Sequence, residues 1–127
     1  MADGERGTRL EGTPEPHKMI TAAGGVSVAA DIYGDFGPLV ILQHGGGQTR
    51  HAWKSAGQSL ADAGYQAVSL DARGHGDSEW APNGDYSNDV LVDDLVAVVE
   101  HFDQAPILVG ASMGGGTSLT AVGEGRV

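Results

Sequence analysis

Three short apolar runs punctuate the chain: PLVILQ at 38–43, YQAVSL at 65–70 and the strand-like PILVGAS at 106–112. Each is nearly continuous in apolar residues rather than alternating, which is how a strand covered on both faces reads. Between them the apolar positions take a helical period. From Trp53, WKSAGQSLADAG spaces Trp53, Ala56, Leu60 and Ala63 as one helix face, and Gly64 suits a C-terminal cap. From Ser87, SNDVLVDDLVAVVEHF sets Leu91, Leu95, Val98 and Phe102 on one face, with Asn88 and Asp89 at the dipole's positive end. Pro106 stops that helix. A third helix is expected to begin in MGGGTSLTAVGEG.

From residue 38 the order is therefore β, α, β, α, β, α. Such alternation predicts right-handed crossovers and a largely parallel sheet with helices on both faces. Upstream, Gly24-Gly25 divides two β-compatible runs in KMITAAGGVSVAADIYG, a hairpin signal, and YGDFGP at 33–38 is a second turn. Residues 1–17, MADGERGTRLEGTPEPH, are polar and aperiodic and predict a flexible tail.

Composition narrows the function. At 127 residues there is room for one domain. A net charge of −10 argues against nucleic acid or an anionic membrane as a partner held by a basic surface. With no cysteine, thiol catalysis, disulfides and cysteine-based metal sites are excluded. The start MADGERGTRL has no apolar signal core, and no apolar run approaches the ~20 residues of a membrane span, so a cytoplasmic protein is expected.

Candidate chemistry sits where apolar runs end. Gly110-Ala111-Ser112-Met113-Gly114 is a G-x-S-x-G placed between a strand and a helix, the setting that exposes a nucleophilic serine on a sharp turn. The helix N-terminus that follows favours negative charge. The same residues also suit an ordinary β-to-α turn with close-packed glycines. His44-Gly45-Gly46-Gly47 directly follows the first apolar run. Acyl transfer needs two N–H donors aimed at the developing oxyanion, each worth roughly 3 kcal/mol of barrier. Met113 N–H and a backbone N–H of this loop, most naturally that of Gly46, fit the need; a glycine-rich turn at the sheet's end is the plainer alternative. Asp71-Ala72-Arg73-Gly74-His75-Gly76-Asp77-Ser78 follows the second run and reads first as structural, with Asp71 and Arg73 holding the turn; His75 as a base is the second choice. Trp53 and Trp80 suit either an acyl pocket or core packing.

Together, HGGG, DARGHGDS and GASMGG in this order resemble the α/β-hydrolase family over roughly residues 18–123. Within it the loops look most like the cofactor-free esterase, perhydrolase and haloperoxidase-like enzymes. The resemblance implies an α/β fold whose mostly parallel sheet is flanked by helices, Ser112 as nucleophile, and Gly46 and Met113 as oxyanion donors. It implies a small acyl substrate such as an ester, and neither metal nor organic cofactor. Epoxide hydrolases and haloalkane dehalogenases of this fold use an aspartate nucleophile, so Ser112 argues against those chemistries. A G-x-G-x-x-G or P-loop nucleotide site is not matched by HGGGQT.

The family's triad runs serine, then acid, then histidine. Here His17, His44, His51, His75 and His101 all precede Ser112. Residues 18–127 are thus expected to be an incomplete α/β-hydrolase domain, the N-terminal half of a larger hydrolase cut after the helix that follows the nucleophile. On that reading the chain has little activity alone, and the apolar strand 107–110 presents an open edge through which another chain could pair. A non-catalytic fragment or subunit is the alternative.

Overall fold

The computed structural model describes residues 14–127. Its elements are β1 (Lys18–Thr21), β2 (Ser27–Tyr33), β3 (Leu39–Gln43), α1 (Lys54–Asp62), β4 (Gln66–Leu70), α2 (Asn88–Phe102), β5 (Ile107–Gly110) and α3 (Met113–Gly123). They form one five-stranded sheet in the order β1-β2-β4-β3-β5. β3 runs parallel to β4 and to β5, while β1–β2 and β2–β4 are antiparallel, so the sheet is mixed. The Gly24-Gly25 turn joins β1 to β2 as expected, with both glycines at positive φ.

Both faces of the sheet are covered, which is why the strands carry so little alternation. Leu39 and Ile41 point to one side and pack with Ile20, Val92, Leu95 and Val98; Val40 and Leu42 point to the other, with Trp53 and Leu60 of the α1 side. Leu91, Leu95 and Val98 of α2 are buried, as their spacing predicts. Ser87 caps that helix through its hydroxyl, which accepts the Val90 N–H at 3.4 Å. In α1 the buried face differs from the expected one. Ala56 and Ala63 are exposed and Gly57 is buried, because the Tyr33 ring lies where a Cβ on Gly57 would be. Periodicity marked the helix but passed over a residue whose missing side chain makes the contact.

β5 departs from the doubly covered strand its sequence suggests. Ile107 is 49 % exposed and the next three residues are half-buried. Among the described residues, β5 pairs with β3 alone. Of the expected tail, residues 1–13 lie outside the described residues, and part of 14–17 is tied to the sheet edge. His17 N–H donates to Asp31 Oδ1 at 3.3 Å, His17 Nδ1 accepts the Ile32 N–H at 2.8 Å, and Pro14 C=O accepts from Arg50 at 3.2 Å.

Two buried ionic groups fix the loops at the carboxyl ends of β3 and β4. Arg50 is fully buried just before α1. Its Nη1 donates to Asp71 Oδ2 at 2.6 Å and to Asp77 Oδ2 at 2.9 Å, and its backbone N–H donates to Asp71 Oδ1 at 2.6 Å. Its Nε lies 3.0 Å from Asp31 Oδ2, close enough for charge attraction but not aligned as a hydrogen bond. Burial alone would lower the Arg50 pKa; its bonds to Asp77 and Asp71, with the attraction of Asp31, outweigh that and raise it above the ordinary arginine value. Arg73 meets Asp94 of α2 with two parallel bonds, 2.7 Å from Nε and 2.8 Å from Nη2. Asp71 and Arg73 therefore hold this turn, as expected, but through partners on other elements rather than through each other.

Candidate active site

Ser112 stands at the turn from β5 into α3 with φ +51° and ψ −109°, a conformation that an L-residue rarely adopts. The side chain is exposed, and although the residue occupies the helix N-cap its hydroxyl makes no capping bond. Glycines allow this turn. A Cβ on Gly114 would collide with the Gln43 carbonyl of β3, and one on Gly110 would collide with the Gly114 backbone. The start of α3 thus rests directly on β3 and β5 and pushes Ser112 clear of the sheet.

The His44–Gly47 loop runs alongside. A Cβ placed on Gly45 would lie 3.6 Å from the Ser112 Cβ, and one on Gly46 would lie 3.9 Å from Met113 Sδ. The three glycine amides of this loop are not equivalent. Gly45 N–H donates to Gln48 Oε1 at 3.0 Å, and Gly47 N–H donates to His75 Nε2 at 3.2 Å. Gly46 N–H has no hydrogen-bond partner among the described residues, and neither has Met113 N–H at the first position of α3. These two amides belong to the two residues expected from the sequence as oxyanion donors.

The histidines, all of which precede Ser112, are engaged away from it or lie elsewhere in the fold. His44 is buried; its Nδ1–H donates to Gly45 C=O at 2.7 Å and its Nε2 accepts the Ala72 N–H at 3.0 Å. Burial pushes its pKa below the ordinary histidine value, and nearby His75 adds to that; the Gly45 hydrogen bond and Asp71 oppose it. His75, the second-choice base, has its Nε2 occupied by Gly47, and its Nδ1–H donates to Arg73 C=O at 3.1 Å. His17 is tied to β2, and His101 sits exposed at the end of α2, packed edge-on to Phe102. Trp53 belongs to the core on the α1 side, and Trp80 is 44 % exposed.

A serine on a strained strand-to-helix turn, with a glycine loop from a parallel neighbour strand beside it, is a family arrangement. The family model described as "alpha/beta hydrolase fold" matches residues 38–125. The chain belongs to the α/β-hydrolase family. An esterase of Mycobacterium tuberculosis is 34 % identical over 107 residues, covering 84 % of this chain and 34 % of the esterase. A non-heme chloroperoxidase of Kitasatospora aureofaciens is 35 % identical over 107 residues, 84 % of this chain and 38 % of that protein. Among solved structures, an esterase from Exiguobacterium antarcticum superposes with a TM-score of 0.76 at 28 % identity, covering 82 % of this chain and 38 % of that one. This α/β-hydrolase chain thus spans roughly a third of the length of the relatives it matches. The names of the relatives differ in kind and include esterase, methylesterase, epoxide hydrolase and chloroperoxidase. Among the described residues no helix is long and apolar enough to cross a membrane.

Two site features went unread in the sequence. Asp94 is buried, yet DD at 93–94 looks like a solvated pair; the available signal was that Asp94 shares the face of Leu91, Leu95 and Val98 at i, i+3, i+4 spacing. The mutual service of His44 and His75 had no local signal, because each serves the other's loop.

Proposed function

We propose that this chain carries the nucleophile and oxyanion-binding part of a serine hydrolase acting on an ester or related acyl compound. The observation that carries the reading is Ser112 itself: exposed, at positive φ, its hydroxyl free of capping, next to a loop that leaves only its middle amide free. Ser112 Oγ attacks the acyl carbonyl and its proton passes to a histidine base. The carbonyl oxygen gains negative charge opposite the N–H groups of Gly46 and Met113. Expulsion of the alcohol leaves an acyl-serine, and water releases the acid and restores the hydroxyl. Serine at 112, where epoxide-opening members of the fold need aspartate, favours acyl chemistry over that of the epoxide hydrolase relatives. No cofactor is called for by this scheme. All five histidines precede Ser112; backbone groups hold a ring nitrogen of His17 and both ring nitrogens of His44 and His75, His51 Nε2 is buried, and His101 lies at the exposed end of α2, so on this reading the base comes from outside residues 14–127 and the chain alone reacts slowly.

The test is phosphonylation by a fluorophosphonate, followed by intact mass. The expected result is slow, single-site labelling that Ser112→Ala abolishes. Labelling that persists in Ser112→Ala would overturn the assignment of the nucleophile; rapid stoichiometric labelling of the wild-type chain would overturn the claim that the base lies elsewhere. A second reading rests on β5, whose outer edge is unpaired among the described residues: the chain is one part of an assembly joined by strand addition at that edge. Size-exclusion chromatography decides it, since a clean monomer that unfolds cooperatively speaks against such pairing.

A further inference from the structure

The loops after β3 and β4 each lend the other an imidazole. His44, from the first loop, accepts the Ala72 N–H of the second at 3.0 Å; His75, from the second, accepts the Gly47 N–H of the first at 3.2 Å. The rings lie 5.0 Å apart. Each ring's other nitrogen points its hydrogen at a backbone carbonyl of its own loop, Gly45 for His44 and Arg73 for His75. All four bonds demand the same tautomer, Nδ1–H with Nε2 as acceptor. Resting on the reading of Ser112 and Gly46 given above, we propose that His75 is a positioning residue of the oxyanion loop, whose Nε2 holds the Gly47 N–H and so turns the neighbouring Gly46 N–H toward the acyl site.

The need for such a clasp comes from backbone freedom. Gly45-Gly46-Gly47 has no side chain to define its path, and Gly47 stands at φ +78°. A run of glycines has many conformations, and an amide donor misplaced by ~1 Å can lose most of its worth to catalysis. Among the described residues two contacts hold the glycine amides, Gln48 on Gly45 and His75 on Gly47. Gln48 belongs to the same loop and His44 anchors only the Gly45 end, through the Gly45 carbonyl, so His75 is what ties the Gly46-Gly47 end to the neighbouring loop. A proton on His75 Nε2 would set donor against donor and open the clasp. The other ionisable groups around it are His44, Asp71, Arg73 and Asp77; Asp71 and Asp77 are held by Arg50, and Arg73 by Asp94.

The test uses the full 127-residue chain, ¹⁵N-labelled, as wild type, His75→Gln and His75→Leu. Glutamine can place Oε1 near the position of Nε2; leucine offers no acceptor. In the wild type the Gly47 amide resonance is expected to move with pH together with the His75 ring signals. Its hydrogen exchange is expected to speed up about tenfold or more in His75→Leu and to return near wild type in His75→Gln. Phosphonylation of Ser112 is expected to slow about 10- to 100-fold in His75→Leu, with rescue in His75→Gln. A Gly47 amide that ignores the His75 titration, or a folded His75→Leu chain that labels at the wild-type rate, overturns the proposal. If His75→Leu fails to fold, the wild-type titration decides alone. If the wild type itself is not labelled while the amide and the ring titrate together, the clasp stands and it is the hydrolase reading that fails.

Discussion

The turn after β4 and the turn after β5 both leave the same end of the sheet, yet they are built on opposite terms. After β4, nearly every polar side chain is buried and engaged: Asp71 and Asp77 on Arg50, Arg73 on Asp94, and Ser78 Oγ accepting the Ala29 N–H at 2.8 Å while donating to Asp71 C=O at 2.6 Å. After β5, Ser112 is exposed and strained, and its hydroxyl and the next amide have no hydrogen-bond partner among the described residues. The contrast separates two uses of polar residues. Saturated groups hold a shape; unsaturated groups held in an unfavourable backbone state are available for a substrate. Glycine and serine alone cannot tell them apart, since both turns carry both; the charges of the first turn are absent from the second.

Breaking the saturated side has the largest expected effect. Arg50→Leu leaves Asp31, Asp71 and Asp77 facing one another without their cation and should cost about 3–5 kcal/mol of stability, or prevent folding. Urea melts measure this; a loss under ~1 kcal/mol would mean that the cluster is not what fixes the loops. On the strained side the expected sign reverses. Ser112→Gly removes a side chain from a positive-φ position and should raise stability by about 1 kcal/mol while abolishing phosphonylation. A destabilised Ser112→Gly chain would show that the turn is not strained. The smallest effect is a slope with pH. The folded-state pKa of His44 is depressed, chiefly by burial. The unfolded chain therefore binds the proton more readily, and the stability His44 contributes is intact above about 6.5 and declines as pH falls below that value. Melts from pH 7.5 down to 5.5 should show the decline, and His44→Gln should flatten it.

The fold was largely legible because the three apolar runs and two amphipathic stretches state it twice, once by burial and once by period. PLVILQ, YQAVSL and the helix from Ser87 lie within a residue or so of β3, β4 and α2. β5 was legible as a strand but not in its burial, because covering both faces requires neighbours that a local pattern does not specify. The serine turn was legible because its glycines answer a backbone collision, which leaves a mark in sequence. The ionic cluster was not: Asp71 reads as holding its own turn, but Asp31, Arg50 and Asp77 are scattered along the chain and look individually like surface charge. Gly46 is singled out in the sequence by motif alone; that Gln48 and His75 occupy the flanking amides is visible only in the three-dimensional arrangement.

The contact of α3 with β3 and β5 through Gly110 and Gly114 has a further consequence for how such a molecule can change over generations. Where a helix rests on bare backbone there is no side chain to exchange by small steps, and each added methyl meets a carbonyl or a peptide plane. Variation is closed at the foot of the serine turn. Change is left to the loops around it, so the position of the Ser112 hydroxyl is held nearly fixed while its surroundings remain free to drift.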